Sequence, residues 1–304
     1  MTRDDIGWAG PMPALTTPFR SDGTVDDAGF AANLDRLLNA GATGSVVAGC
    51  TGEFWALSLD EKAALARLAV EATAGRGPVI LGAAAVTPSE VLEIAHAAKE
   101  AGCDGVLVTP PYFVRVNEHE MVRHYERVAA GSPLPVMVYN IPGNAGNAIT
   151  PALADRLADI PAVVAIKESS GDWNTFQGVL NAARDRVRVF CGPSSVFGVA
   201  ATLAGADGLI DCFPNVWTDC LKIWDTVKAG DMDKAWALQR TGLALTDLFT
   251  SDGRSLYPAT KAAMDMQGFP GGGATRAPLE PLTGAPLDGL KEGMRALVKQ
   301  PEMA

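Results

Sequence analysis

A lysine stands where a run of apolar residues gives way to polar ones. Residues 162–166 read Ala-Val-Val-Ala-Ile, and Lys167, Glu168 and two serines follow them. An apolar run rich in β-branched residues is typical of a strand that is buried on both faces. A lysine at the mouth of such a strand is partly withdrawn from water, which lowers the pKa of its ammonium group and leaves an amine that can attack a carbonyl. The alternative is a strand-end lysine that simply reaches water, as most lysines do.

A tyrosine ends the apolar run that precedes this one. Tyr139 follows Val-Met-Val at 136–138, and neighbouring parallel strands lie about 4.8 Å apart. A phenol and an amine at the ends of two such strands can therefore act on the same substrate. Tyr139 is equally consistent with a strand-end aromatic residue whose hydroxyl points into water.

The segment 49–53, Gly-Cys-Thr-Gly-Glu, follows a further apolar run. Its backbone N–H groups and the Thr51 hydroxyl would lie at a strand-to-helix turn, where such groups hold carboxylates or phosphates. A plain tight turn is the alternative. The segment lacks the G-x-x-x-x-G-K-[ST] pattern of a P-loop, so nucleotide binding is not supported.

The elements that must position these residues alternate along most of the chain. Helical patterns, some opened by cap residues such as Ser58 and Thr87, separate apolar runs that we interpret as strands. These runs are 12–17, 45–48, 79–84, 105–109, 135–139, 162–166, 187–191 and 208–212. Strands that are each followed by a helix predict an α/β fold, the TIM or (β/α)8 barrel. An open doubly wound sheet is the alternative, although it usually has fewer strands.

Two further sequence patterns concern the turns from helix to strand and the C-terminal part of the chain. Ala-Gly-x-x-Gly recurs at 40–44, 101–105 and 204–208, where we expect the first glycine to end a helix in the left-handed conformation. After residue 215 helical patterns follow one another without strands, at 217–229, 231–250, 257–266 and 287–299. We therefore predict a barrel of residues 1–215 and a C-terminal helical region of residues 216–304 packed on it.

Functional groups of such a barrel lie at the carboxyl ends of its strands. This rule selects the following candidates: Thr16, Thr17, Cys50, Thr51, Gly52, Glu53, Tyr112, Tyr139, Asn140, Lys167, Glu168, Gly192, Pro193, Ser194, Ser195 and Asp211.

The composition narrows the class of protein. The 304 residues carry a formal net charge of −10, which disfavours nucleic acid or an anionic membrane as a partner. Its five cysteines stand singly and are odd in number, as expected for a reducing, cytoplasmic compartment. Residues 1–10 include Arg3, Asp4 and Asp5 and no apolar core, which is not the pattern of a signal peptide. No uncharged apolar run reaches the roughly 18 residues of a membrane span.

Four short motifs, taken together, resemble one known family. Gly-x-Thr-Gly-Glu (49–53), Thr-Pro-x-Tyr (109–112), Tyr-Asn-x-Pro (139–142) and Ile-Lys-Glu-x-Ser (166–170) follow one another in this order. Each motif alone is weak, but all of them fall at predicted strand ends. The set is similar to the dihydrodipicolinate synthase / N-acetylneuraminate lyase family, over about residues 10 to 300.

The resemblance implies a Schiff-base lyase that needs no metal and no cofactor beyond the imine. Lys167 would condense with the ketone of pyruvate or another 2-oxo acid, and the protonated imine would act as an electron sink. Tyr139 would relay protons, and Thr51, with the Cys50 and Thr51 N–H groups, would hold the carboxylate. Tyr112 resembles the tyrosine that reaches the proton relay of a neighbouring subunit in the synthases. The resemblance also implies a homotetramer, a dimer of dimers.

Three departures bear on the substrate. Asn144 stands where the synthases normally have an arginine, so a carboxylate clamp is missing. Gly192 is followed by Pro-Ser-Ser, not by the Asp-Glu pair usual in N-acetylneuraminate lyases, and Cys50 replaces the usual serine or threonine. Asp211 could bind a substrate hydroxyl or cap a helix. We therefore expect aldol cleavage or condensation, or dehydration, of a 2-keto-3-deoxy sugar acid or a similar hydroxy-oxo acid. The further candidate substrate-binding residues are Gly52, Gly192 and Ser194.

Several alternatives stay open at this point. Dihydrodipicolinate synthase or N-acetylneuraminate lyase activity proper is the nearest. A metal-dependent barrel aldolase could use Glu53, Glu168 and Asp211 as magnesium ligands, whereas His96, His119 and His124 fall within predicted helices rather than at strand ends. A keto-acid-binding barrel without turnover is the remaining possibility.

Overall fold

A ring of parallel strands forms the centre of the molecule. The computed structural model describes residues 3–298. Its strands are β1 (Gly10–Pro11), β2 (Ser45–Val47), β3 (Val79–Gly82), β4 (Gly105–Val108), β5 (Val136–Asn140), β6 (Val163–Glu168), β7 (Arg188–Cys191) and β8 (Gly208–Leu209). They pair in the order β1-β8-β7-β6-β5-β4-β3-β2, and a parallel bridge between Ala14 and Val46 joins the two ends. The predicted (β/α)8 barrel is confirmed.

Helices surround the ring, and along the chain they alternate with its strands before continuing after the last one. They are α1 (Asp27–Asn39), α2 (Leu59–Thr73), α3 (Pro88–Ala101), α4 (Glu118–Gly131), α5 (Pro142–Ala145), α6 (Pro151–Leu157), α7 (Trp173–Ala183), α8 (Ser194–Ala204), α9 (Lys222–Lys228), α10 (Met232–Thr250), α11 (Leu256–Met266) and α12 (Gly284–Leu297). The predicted capping boxes form at Ser58 and Thr87. The glycines of the three repeats, Gly41, Gly102 and Gly205, have φ values of +105°, +88° and +98°, so the predicted left-handed helix ends are confirmed.

The first strand lies before its predicted position at 12–17, since β1 is Gly10–Pro11, and the last strand is shorter than predicted. Regular pairing in β1 stops at Pro11, because Pro11 and Pro13 have no N–H to donate. The N–H groups of Met12 and Ala14 still donate to the carbonyls of Leu209 and Asp211, at 2.8 and 2.9 Å, so the chain keeps its place in the ring. β8 ends at Leu209, three residues before the predicted end.

The predictions for the C-terminal helices differ in detail from the structure. The single helix predicted at 217–229 is a 3-10 turn over Thr218–Leu221 followed by α9, and the short helix α5 was not predicted. The predicted last helix reached Lys299, which lies outside the described residues. Helix α10 packs on the barrel helix α8. The division of the chain into a barrel and a C-terminal region at residue 215 stays a prediction. No helix among residues 3–298 is long and apolar enough to cross a membrane.

Two apolar layers line the two faces of the ring. Side chains that point into the barrel include Val46, Ile80, Leu107, Met137, Ala165, Phe190 and Ile210. The alternate strand residues pack outward against the helices. Since side chains alternate along a strand, Lys167 shares the inward face with Ala165, and Tyr139 shares it with Met137. The period of the strands therefore aims both candidate catalytic groups into the barrel.

Candidate active site

Lys167 and Tyr139 lie side by side at the carboxyl ends of β6 and β5. Their Cα atoms are partners in the parallel register of the two strands. The Lys167 Nζ atom lies 4.1 Å from the centre of the Tyr139 ring, and both side chains are 5% exposed. The side chain of Lys167 is thus not exposed to water at the strand end, which was the alternative considered from the sequence.

Burial shifts the pKa values of both groups of this pair. It lowers the pKa of Lys167, although the nearby Cys50 and Asp211 oppose the shift. It raises the pKa of Tyr139 well above the usual range, and Cys50 raises that pKa further. Desolvation disfavours the charged form of each group. The site therefore favours a free amine beside a phenol that keeps its proton.

A cavity of about 250 Å³ opens above the Lys167 amine. The candidates from the sequence that line it are Cys50, Thr51, Tyr139, Asn144, Lys167, Gly192, Pro193, Ser195 and Asp211. Further lining residues, which were not among the candidates from the sequence, are Ser169, Ser170, Thr246, Thr250 and Tyr257. Apart from the thiols and phenols, the ionisable groups of this lining are Lys167 and Asp211. No arginine lines the cavity among the described residues.

The loop between β2 and α2 is anchored from two sides. The Thr17 hydroxyl donates to the Gly52 carbonyl at 2.8 Å. Glu53 is fully buried, its Oε1 lies 2.5 Å from Lys261 Nζ of α11, and its Oε2 accepts the Arg276 N–H at 3.0 Å. These contacts place Thr51 at the cavity while Gly52 itself lies behind the cavity wall.

Glu168 faces away from Lys167 and stabilises the end of β6. Its Oε1 accepts hydrogen bonds from the Asn140 amide at 3.0 Å and from the Ser170 N–H at 2.8 Å. Glu53 and Glu168 are thus both engaged in structural contacts. Among residues 3–298 no group of three or more histidine, cysteine, aspartate or glutamate side chains could hold a metal ion.

Asp211 connects the cavity with the start of α8. Its Oδ2 accepts the Ser195 N–H at 2.7 Å and the Ser194 hydroxyl at 3.2 Å. Asp211 therefore contacts the helix start, one of the two roles considered, and also lines the cavity. Ser194 itself does not line the cavity, whereas Ser195 does and accepts from the Thr246 hydroxyl at 3.0 Å.

Gly192 allows the ends of β6 and β7 to approach closely. A Cβ atom at this position would lie 1.6 Å from Ser169 Oγ and 2.9 Å from the Glu168 carbonyl oxygen. The Gly192 N–H donates to that carbonyl at 2.8 Å. Any larger residue here would displace the strand end that carries Lys167.

Tyr112 lies outside the cavity of its own chain. It lines a neighbouring pocket of about 210 Å³ with Phe54 and Trp55, and this pocket shares Cys50 and Asn144 with the lysine cavity. The Tyr112 ring centre is 6.0 Å from that of Phe54. The single chain does not bring Tyr112 to Lys167.

Tyr257 is one of the residues of the site that the sequence reasoning missed. It comes from α11 in the C-terminal helical region, whereas the search was restricted to strand ends. It lines the lysine cavity together with Cys50 and Asn144, and its ring centre lies 5.5 Å from that of Trp55. A tyrosine within the first turn of a helix gives no signal of this role, so only the packing of α11 over the barrel reveals it.

Comparison with known proteins assigns the family. The profile of the "Dihydrodipicolinate synthetase family" matches residues 8–297. The chain is 33% identical over 254 residues to the Escherichia coli strain K12 protein named "Putative 2-dehydro-3-deoxy-D-gluconate aldolase YagE", which covers 81% of this chain and 82% of that protein. It is 34% identical over 288 residues to a 4-hydroxy-tetrahydrodipicolinate synthase of Acidothermus cellulolyticus, which covers 94% of this chain and 91% of the relative.

A solved structure agrees with these sequence matches. The crystal structure of Escherichia coli K12 YagE in complex with pyruvate superposes with a TM-score of 0.91 at 30% identity, over 96% of this chain and 99% of that one. The members of the family are lyases that bind pyruvate as a Schiff base with a lysine. By its sequence and its fold, the chain belongs to the dihydrodipicolinate synthetase family of Schiff-base lyases.

Proposed function

We propose that the substrate of this lyase is a 2-keto-3-deoxy sugar acid or a similar hydroxy-oxo acid with a single carboxylate. The reaction is aldol cleavage or condensation, or dehydration. The observation that carries the proposal is the lining of the cavity around Lys167. It offers hydroxyl and amide groups for a hydroxylated tail, and it lacks an arginine for a second carboxylate. The similarity to YagE, named for 2-dehydro-3-deoxy-D-gluconate aldolase, supports the same class of substrate.

The reaction begins at Lys167. Its neutral amine attacks the 2-keto carbon to give a carbinolamine, which loses water to form a protonated imine. The imine accepts the electron pair of the bond that breaks at the neighbouring carbon, and an enamine results. Tyr139 donates the proton that leaves with the carbinolamine hydroxyl and takes part in proton transfer at the carbon next to the imine.

The carboxylate of the 2-oxo acid is held by the loop 49–53. Thr51 lines the cavity with its hydroxyl, and the N–H groups of Cys50 and Thr51 complete the set. Gly52 lets this loop turn behind them. Neutral donors of this kind bind one carboxylate without a second positive charge in the site.

The tail of the substrate lies toward Asn144 and Asp211. Asn144 stands where the synthases have an arginine, so we assign it to a substrate hydroxyl. Asp211, which lines the cavity, accepts a hydrogen bond from a further substrate hydroxyl, and Gly192 lines the same wall after β7. Ser194, at the start of α8, acts through its hydrogen bond to Asp211. Thr246 and Thr250, one helical turn apart on α10, add two hydroxyl groups.

The 4-hydroxy-tetrahydrodipicolinate synthase reaction is the second candidate, since several synthases are among the relatives. The neutral Asn144 argues against it.

We further propose a cytoplasmic homotetramer, a dimer of dimers, in which Tyr112 approaches the site of a neighbouring subunit. The almost fully exposed Phe113 beside it, at 96% exposure, is compatible with burial in such an interface.

The test combines trapping with a substrate panel. Borohydride reduction in the presence of pyruvate should add the mass of the reduced adduct at Lys167, and EDTA should leave turnover unchanged. A panel of 2-keto-3-deoxy acids, with and without a second carboxylate, is then assayed for pyruvate release and for dehydrated product. Pyruvate binding without any adduct would contradict the lyase, and loss of activity with EDTA that magnesium restores would favour a metal-dependent aldolase.

A further inference from the structure

Arg276, in the segment between α11 and α12, makes hydrogen bonds to several points around the loop between β2 and α2. Its guanidinium group donates to the Ala56 carbonyl at 2.7 Å and to the two carboxylate oxygens of Glu61 at 2.9 and 2.5 Å. It donates twice to the Gly23 carbonyl, at 3.0 and 2.6 Å, and its backbone N–H donates to Glu53 Oε2 at 3.0 Å. One residue thus joins this loop, the first turn of α2 and the turn before α1.

The backbone is strained on both sides of residues 49–52, which include the groups assigned to the substrate carboxylate. Ala48 has a φ of +49° and Glu53 a φ of +53°. This left-handed conformation costs free energy for a residue with a side chain, and it persists only where the surrounding contacts impose it. At Glu53 those contacts come from Lys261 and from the Arg276 N–H. The loop is therefore held in a shape that its own backbone does not favour.

We propose that Arg276 is a positioning residue for the carboxylate of the 2-oxo acid, because it holds the loop in the shape in which Thr51 and the neighbouring N–H groups bind that carboxylate. Arg276 does not line the lysine cavity, so it acts through the loop and not on the substrate. The inference rests on the proposed function, in which the loop 49–53 binds the carboxylate. It deepens that function by naming the residue that organises the binding groups before the substrate arrives.

Packing fixes the guanidinium group itself. Its Cζ atom lies 4.2 Å from the centre of the Phe19 ring, and Lys261 Nζ lies 4.2 Å from the same ring centre. The Ala274 N–H donates to the Phe19 carbonyl at 3.2 Å, so the backbone two residues before Arg276 is also attached to the barrel. A guanidinium group presents its donors in a rigid plane. The partners of Arg276 therefore define its orientation, and its orientation in turn defines theirs.

Arg276 and Lys261 hold the loop at different points. Lys261 neutralises the fully buried Glu53 carboxylate, so its replacement leaves a buried charge. The guanidinium group of Arg276 instead contacts Ala56 and Glu61, and the side chains of Arg276 and Glu61 are 21% and 30% exposed. Its replacement leaves Glu61 with access to water, and the backbone N–H that binds Glu53 remains. Arg276 can therefore be varied with less damage to the fold than Lys261.

The test compares two ketones that differ in the carboxylate. Pyruvate carries this group, whereas methyl pyruvate is its uncharged ester. The rate at which cyanoborohydride traps each ketone on Lys167 is measured well below saturation, and the ratio of the two rates reports recognition of the carboxylate. Both rates come from one preparation, so the ratio does not depend on the folded fraction. Arg276→Met should lower the ratio about tenfold or more, with the methyl pyruvate rate within about twofold of wild type, as for misplaced binding groups.

Two further arginine variants serve as controls. Arg188 has a side chain of similar exposure, 18%, and it bonds to Asp207 at 3.1 Å and to two backbone carbonyls of the N-terminal segment. It lies at the amino-terminal end of β7, so Arg188→Met should leave the ratio unchanged. Arg276→Lys keeps the charge near Glu61 without the planar fork, so its ratio should lie between those of Arg276→Met and wild type.

Thr51→Val separates this inference from the proposed function. It removes the hydroxyl assigned to the carboxylate and should lower the ratio. If it does so while Arg276→Met keeps the wild-type ratio, the inference is overturned and the lyase proposal stands. An unchanged ratio in Thr51→Val would overturn the assignment of the loop, and absence of a pyruvate adduct in the wild-type protein would overturn the lyase itself.

Two other results would also contradict the role of Arg276. An equal fall of both trapping rates in Arg276→Met would indicate a general loss of the site and not of carboxylate binding. If Arg276→Met does not fold, Arg276→Lys decides the question, and a wild-type ratio in that variant would overturn the inference.

Discussion

Lys261 of α11 forms a buried ion pair with Glu53 of the loop 49–53, with 2.5 Å between Nζ and Oε1. The lysine also donates to the Ala274 carbonyl at 2.7 Å. Both side chains are almost completely removed from water, with exposures of 1% and 0%. The C-terminal helical region thus holds the loop that carries Cys50 and Thr51, and through Tyr257 the same helix reaches into the cavity.

Lys261→Met should destabilise the protein strongly. It leaves the Glu53 carboxylate buried without its counter-charge, which typically costs about 3–5 kcal/mol. The free energy of unfolding in urea measures the loss. The double variant Glu53→Gln/Lys261→Met removes both charges and should recover part of it; a double variant as unstable as the single one would contradict this explanation.

Lys167→Met should abolish turnover and at the same time stabilise the fold at neutral pH. The pKa of Lys167 is lowered by burial, so between that pKa and the unfolded value of about 10.4 the unfolded state binds the extra proton. The free energy of unfolding of the wild-type protein therefore increases as pH rises through this window. This pH dependence should be absent in Lys167→Met. Urea unfolding of both proteins at pH 7 and pH 9 tests it: parallel changes in the two proteins would refute the link.

Tyr139→Phe should lower turnover by about 10²-fold or more, as for a lost general acid–base group. The ring and its contact with Lys167 remain, so the pyruvate adduct should still form, only more slowly. Rapid-quench trapping with borohydride compares the rates of adduct formation. Near-normal turnover in Tyr139→Phe would remove this tyrosine from the mechanism.

Asn144→Arg should shift the preference of the cavity toward substrates with a second carboxylate. The guanidinium group would add the fixed cation that the lining lacks, and it would displace the neutral donor assigned to a substrate hydroxyl. The ratio of kcat/KM for a 2-keto-3-deoxy monoacid and for the corresponding diacid measures the shift. Asn144→Gln keeps the amide and serves as the control, whose ratio should remain close to that of wild type.

His124 should make the fold sensitive to mild acid. It is buried on α4, its Nε2 has no partner, and burial lowers its pKa from 6.5 to about 4. Between these values the unfolded state holds a proton that the folded state does not, so stability falls as pH drops from about 6.5 to about 4. The total loss is on the order of 3 kcal/mol. His124→Phe should reduce this loss in urea unfolding at pH 6.5 and pH 4.5, whereas an unchanged slope would rule it out.

Much of the scaffold could be predicted because its signals are local. Apolar runs of strand length, helical periodicity and capping boxes at Ser58 and Thr87 depend on residues close together in sequence. The first strand was predicted less well, because Pro11 and Pro13 interrupt its regular pairing while longer-range bonds keep the segment in the ring. Those bonds come from β8, roughly 200 residues away along the chain.

The sequence by itself determined the barrel and placed Lys167 and Tyr139 at the ends of neighbouring strands, because strand period and strand order follow from local patterns. That both side chains are buried at the cavity, and do not reach water, was decided by the tertiary structure. Only the tertiary structure decided which polar groups surround them. Tyr257, Thr246 and Thr250 arrive on helices that follow the barrel, and no periodicity in those helices indicates which turn lies over the cavity. The docking of α10 and α11 is set by packing and by the ion pair between Glu53 and Lys261, contacts that join residues more than two hundred positions apart.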